Sequence, residues 1–172
     1  LLFISGWLQR LLRRMAYGVP GGYSLRPMLH RWRGVKIGKR VWISQYVYID
    51  EIHPKAVSIG DNVTIGLGTS LFAHMYWGKP RDKDGAGPVT INSNVFIGPH
   101  CVILPGVCIG AGAVIQAGSV VSRDVPPHVL FGHPPAQPLA EVMTPLTADY
   151  SYAEFARGLR PLRKKGVPHE SR

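Results

Sequence analysis

Residues 95–110 read Val-Phe-Ile-Gly-Pro-His-Cys-Val-Ile-Leu-Pro-Gly-Val-Cys-Ile-Gly. An aliphatic residue recurs here every six positions, at Ile97, Ile103 and Ile109, with Val95, Cys101 and Val107 two places earlier. The phase extends outward in both directions. Upstream it runs through Ile37, Ile43 and Ile49, then Ile59, Ile65 and Leu71, then Ile91; downstream it takes in Ile115 and Val121. Gly often follows the aliphatic residue, as at Gly38, Gly60, Gly66, Gly98 and Gly110. Two inward side chains flanking one outward side chain make a short strand. Gly or a small polar residue then turns a corner that often needs positive φ. Three hexads close one coil of a triangular prism, so the twelve hexads make about four coils. Stacked at about 4.8 Å, successive coils satisfy each other's backbone groups. Period-six repetition is a parallel β-helix signature, and twelve in-phase positions are too many for coincidence in a β-rich chain.

The interruptions locate function. Four extra residues separate Ile49 from Ile59, and fourteen separate Leu71 from Ile91. Counting three hexads per coil stacks Ile49, Leu71, Ile103 and Val121 on one face, so both insertions leave the prism at the same corner. Neither fits inside, so both must loop outwards. The longer, residues 74–88, is polar, Gly-rich and aromatic, the kind of long loop on a rigid scaffold where function sits.

Charge and composition narrow the classes. The 172 residues carry 20 Lys and Arg against 10 Asp and Glu, a net charge of +10. Residues 1–40 hold nine of the basic residues and no acidic one, whereas residues 41–135 hold five basic and six acidic. The charge thus belongs to the flanks, including a terminal run from Arg157 to Lys165, and no nucleic-acid-binding motif accompanies it. Cys101 and Cys108 lack metal-ligand spacing, and Cys101 replaces a core Val, so a buried reduced thiol is expected. No apolar run is long enough to span a bilayer. The chain opens on Leu1 rather than Met, so upstream residues are expected.

Three segments divide the chain: 1–34, an amphipathic helix and linker; 35–137, the repeat body with its extruded loop; and 138–172, a C-terminal extension with a short helix near Tyr150–Leu159 and a flexible basic tail. In the first helix, Ile4, Leu8, Leu11, Leu12 and Met15 share one face, and Gln9, Arg10, Arg13 and Arg14 the other. It either covers the open end of the prism, the favoured reading, or lies on a membrane surface.

Three stretches resemble the bacterial hexapeptide-repeat acyltransferases, and sugar and polysaccharide O-acetyltransferases most of all. They are residues 57–66 running on to Leu71-Phe-Ala-His74; residues 95–110; and Ala117-Gly-Ser-Val-Val-Ser-Arg-Asp-Val-Pro-Pro followed by Gly132-His-Pro-Pro-Ala136. The resemblance implies an all-β, left-handed parallel β-helix, a homotrimer, and acetyl-coenzyme A as acyl donor in a groove between neighbouring prisms, with no metal expected. The reaction it implies is transfer of an acetyl group to a saccharide hydroxyl, in the cytoplasm or at the inner face of the membrane.

It also nominates residues. His74, at the root of the long loop, is the expected general base, since neutral imidazole suits proton abstraction near pH 7. Asp50 and Glu51 lie one coil below at the same corner, and either could bind the imidazole or the acceptor. Coenzyme A contacts are expected near Gly98, Gly112, Ala113, Gly118, Ser119, Arg123, Gly132, Pro134 and Ala136. Tyr76, Trp77 and His100 are candidates for the acceptor, and His53 reads as structural. Gln137 stands where many relatives have Lys or Arg. Two other classes stay open: a zinc enzyme of the carbonic-anhydrase type using His53, His74 and His100, and a non-catalytic scaffold module. Within the enzyme class, an amine acceptor is a further alternative.

Overall fold

A computed structural model describes residues 6–74, 87–132, 140–145 and 151–161. They fall into two units, Leu1–His133 and Pro134–Arg172.

In the first unit the hexads form strands of two or three residues. Each coil contributes one strand to each of three parallel sheets. The first sheet is β1 (Lys36–Ile37), β4 (Val57–Ile59), β7 (Val89–Ile91) and β10 (Cys108–Ile109). The second is β2 (Trp42–Ile43), β5 (Thr64–Ile65), β8 (Phe96–Ile97), β11 (Val114–Ile115) and β13 (Leu130–Phe131). The third is β3 (Tyr48–Ile49), β6 (Ser70–Leu71), β9 (Val102–Ile103) and β12 (Val120–Val121). Ile49 pairs with Leu71, Leu71 with Ile103, and Ile103 with Val121, the stacking read from the hexad count. Beyond the four expected coils a fifth begins, with Val125 bridged to Ile109 and β13 paired with β11.

The aliphatic positions and the small residues two places before them fill the prism: from Val41 to Val121 they are almost completely buried. Corner residues stack in columns. Asn62, Asn94, Gly112 and His128 all have positive φ, and each donates its N–H to a carbonyl of the coil before it. Gly66 shows why a corner can require glycine: a Cβ there would lie 2.6 Å from the carbonyl carbon of Gly98 in the next coil.

The first coil has no coil beneath it, so strand and corner carbonyls point off an open edge. Three arginines supply the missing donors. Arg31 reaches the carbonyl oxygens of Ile37 and Gly38 (3.2 and 2.6 Å), Arg26 that of Ile43 (2.6 Å), and Arg33 those of Ile49 and Asp50 (2.9 and 2.7 Å). All three sit on or just after α2 (Leu25–Trp32), a helix inside the segment expected to be a linker. Arg33 is buried, and its pKa is lowered to about 10, by desolvation first and by Arg13 second, so it stays charged at neutral pH. It donates from Nη1 to His30 Nδ1 at 2.9 Å. A buried imidazole accepting from a guanidinium must be neutral, and desolvation followed by the Arg33 charge lowers the His30 pKa to about 3.

The helix α1 (Gly6–Gly18) packs differently from the sequence expectation. Its inner face is Leu8, Leu12 and Ala16, set against Val19 and Leu29. Gln9 and Arg13 turn partly inward, because Gln9 donates to the Arg33 carbonyl (3.3 Å) and Arg13 pairs with Glu51 (2.7 Å). Leu11 and Met15, expected on the buried face, are exposed.

In the second unit, β14 (Ala140–Val142) pairs antiparallel with β15 (Leu159–Pro161). Part of the tail expected to be flexible is therefore a strand. Between them α3 (Tyr152–Arg157) starts with a capping box, in which Ser151 Oγ accepts from the Glu154 N–H and Glu154 accepts from the Ser151 N–H.

Candidate active site

The site grows from the corner where both insertions leave the prism. After β3 the chain turns at Asp50, and the four extra residues let the backbone fold back around its carboxylate. Asp50 Oδ1 accepts the N–H groups of Ile52 (2.9 Å) and His53 (2.8 Å), a local turn of the kind Asp favours. One coil up, after β6, Oδ2 accepts the N–H groups of Ala73 (2.7 Å) and His74 (3.1 Å). The same oxygen lies 2.6 Å from His74 Nδ1.

Asp50 has no exposed surface. Burial by itself would push its carboxyl up. The His53 N–H, the His74 ring and the Ala73 N–H outweigh that and hold it below the usual carboxylate range. Asp50 is therefore ionised at neutral pH, and the network assigns the proton between the side chains to His74 Nδ1. In the neutral ring Nε2 then carries the lone pair. The imidazole is about 15% exposed, and the His53 ring stands edge-on to it at 5.7 Å. A carboxylate fixing the tautomer and aim of a partly exposed imidazole is a general-base arrangement.

The structure separates the two candidate carboxylates. Asp50 holds the imidazole; Glu51 points away to Arg13, whose guanidinium also lies 5.8 Å from the Tyr48 ring. His53, expected to be structural, donates its backbone N–H to Asp50, and its ring flanks His74. His100 lies at the corner between the second and third sheets, exposed, with its ring against Gly68. Within one chain His100 thus stands at a different corner from His53 and His74, and no group of three metal-ligating side chains is found among the described residues.

Of the expected coenzyme A positions, Gly98, Gly112, Ala113 and Gly118 already donate their N–H groups within the prism (2.8, 3.0, 3.3 and 2.9 Å). The side chains of Ala113 and Ser119 face inward and are buried, so they offer no side-chain contact. Gly118 has φ +74° and open space where a Cβ would stand. Arg123 is exposed, 5.8 Å from the Phe131 ring, and Gly132 follows β13. Tyr76, Trp77, Pro134 and Ala136 lie outside the described residues, as does nearly all of the 74–88 loop. Where that loop rejoins the prism, the Gly87 N–H donates to the Ala73 carbonyl at 2.9 Å.

The stacked hexapeptide prism defines a class, and known proteins share its repeat. The Hexapep family profile, bacterial transferase hexapeptide (six repeats), matches residues 88–123. The galactoside O-acetyltransferase of Escherichia coli (strain K12) is 32% identical over 155 aligned residues, covering 77% of this chain and 76% of that protein. YvoF of Bacillus subtilis (strain 168) is 39% identical over 101 residues, covering 59% of this chain and 57% of YvoF. The chain thus spans little more than half of YvoF's length. Among solved structures, a hexapeptide-repeat acetyltransferase from Vibrio cholerae O1 biovar eltor, complexed with acetyl coenzyme A, superposes with a TM-score of 0.59 at 27% identity, covering 76% of this chain and 83% of that one. A maltose O-acetyltransferase from Clostridium difficile 630 does so with a TM-score of 0.50 at 26% identity, covering 72% and 76%. The chain belongs to the hexapeptide-repeat acetyltransferase family, and its prism is the left-handed parallel β-helix.

Proposed function

We propose that the protein is an acetyl-coenzyme A-dependent O-acetyltransferase acting on a saccharide hydroxyl. The observation that carries this is the Asp50–His74 pair, a buried carboxylate aiming an imidazole at the corner where the long loop departs. The thioester supplies the acetyl group. His74 Nε2 takes the proton from the acceptor hydroxyl as its oxygen bonds to the acyl carbon. The carbon–sulfur bond breaks, and the protonated imidazole returns the proton to the departing sulfur. Asp50 keeps its negative charge throughout and stabilises the imidazolium. Arg33 holds the Asp50 backbone from below and so positions the pair.

The open backbone at Gly118 and the exposed Arg123 guanidinium suit a long phosphorylated ligand such as coenzyme A. The outward side chains Phe96, Val114 and Leu130 form an exposed apolar ladder along the second sheet, which supports a homotrimer. The named activities of the galactoside and maltose O-acetyltransferases support a saccharide acceptor.

Calorimetric titration with acetyl-coenzyme A tests the donor, followed by a screen of sugar acceptors. Saturable binding is expected, with His74→Ala lowering kcat on the best acceptor by about 10²–10⁴-fold while leaving donor binding intact. No binding to the folded protein at millimolar ligand would overturn the reading.

A further inference from the structure

Packing α1 through Leu8, Leu12 and Ala16 leaves a solvent face of unusual composition. Trp7, Leu11 and Met15 follow one another at i, i+4 and i+8 and are 67%, 44% and 44% exposed. Arg10 and Arg14 lie between them on the same face, also exposed. Nearby segments expose Tyr23, Leu25, Arg31 and Trp32. A soluble helix face normally interleaves both charge signs. Here the first acidic residue in the sequence is Asp50, which is buried, and the next, Glu51, is paired with Arg13. The sequence opens with the apolar run Leu1-Leu-Phe-Ile, one residue, Ser5, ahead of α1.

We propose that this face of α1 docks in the plane of an anionic lipid bilayer, with Trp7, Leu11 and Met15 entering the headgroup region and Arg10 and Arg14 on lipid phosphates. Charge complementarity selects this occupant. A protein partner covering three apolar side chains would not require a uniformly basic surround, whereas an interfacial helix combines Trp and Leu with Arg and Lys. Gln9 and Arg13 tie the inner side of α1 to Arg33 and Glu51, beside the Asp50–His74 corner. Docking therefore holds that corner near the lipid surface and favours a membrane-anchored hydroxyl acceptor, a consequence that rests on the acyl-transfer reading.

The test is co-sedimentation of the full chain with phosphatidylglycerol–phosphatidylcholine vesicles, against phosphatidylcholine alone. Binding is expected only to the anionic vesicles, weakening as salt rises, with a blue shift of Trp fluorescence. Leu11→Ser with Met15→Ser, and separately Arg10→Gln with Arg14→Gln, should each weaken binding by about tenfold or more. All four positions are exposed, so the fold should survive, as circular dichroism would verify. His74→Ala should bind vesicles like the wild type, so a lost acyl-transfer reading and a lost docking reading are told apart. No binding by folded wild type, or wild-type binding by both double variants, overturns the proposal. So does self-association without vesicles that the Leu11 and Met15 changes abolish, which would make the face a contact between copies.

Discussion

Asp50 joins two coils through five hydrogen bonds to one carboxylate, four from backbone N–H groups and one from the His74 ring. Asp50→Asn keeps the shape but turns an amide NH2 toward groups that themselves donate. We expect kcat to fall by about 10²–10⁴-fold and stability to fall by about 1–3 kcal/mol, measured by initial rates at saturating substrates and by denaturant unfolding. His74→Ala should share the kinetic loss but little of the stability loss, since the four backbone bonds survive. Hexad counting alone brings Asp50 and Glu51 beneath His74. It cannot choose between neighbours on one corner, because the choice depends on which side chain the backbone folds around, and Arg13, which claims Glu51, lies far earlier in the chain, on α1.

At the scale of the element, α2 was illegible because its buried face carries charge. Arg26, His30 and Arg33 are all buried, which hydrophobic periodicity reads as a solvated stretch. Only the open edge of the first coil gives Arg26 and Arg33 their strand carbonyls, and Arg33 in turn holds His30. Arg26→Met should strand the carbonyls of Ile43 and Val19 and cost about 2–4 kcal/mol, readable by thermal or chemical unfolding. His30 gives this element a pH dependence. Its folded pKa, about 3, lies below its unfolded value near 6.5, so the unfolded chain binds the extra proton between them. Stability is then complete above about pH 6.5 and is lost as pH falls toward 3, at no more than about 1.4 kcal/mol per pH unit. Asp50, also depressed, adds a loss of the same sign at lower pH, below the ordinary carboxylate pKa. His30→Asn retains an acceptor for Arg33 but no titrating group. Its unfolding free energy should fall less steeply than that of the wild type from pH 6.5 to 4.5, and parallel curves would refute the account.

For the whole molecule, the repeat leaves outward side chains as freely chosen as inward ones are constrained. On the second sheet the choice is Phe96, Val114 and Leu130 in register, all exposed. Under the proposed homotrimer, Phe96→Lys with Leu130→Lys should yield monomers in sedimentation velocity where the wild type sediments as a trimer, and should lower kcat if the groove between prisms is shared. An unchanged mass with unchanged activity would place the interface on another face.

The sequence determined the prism by itself: its three-sided coils, the register of Ile49 on Leu71, Ile103 and Val121, and the corner that extrudes both insertions. A period-six pattern is local information, and in a β-helix the local unit and the global fold coincide because each coil packs on the next. Tertiary structure alone decided what happens where the repeat stops. The open first coil drew in three arginines, α1 turned Gln9 and Arg13 inward and left Leu11 and Met15 outside, and Asp50 rather than Glu51 took the imidazole. At those places the unmet need is a set of particular backbone atoms in space, and hydrogen-bond donors far along the chain meet it without leaving a periodic trace.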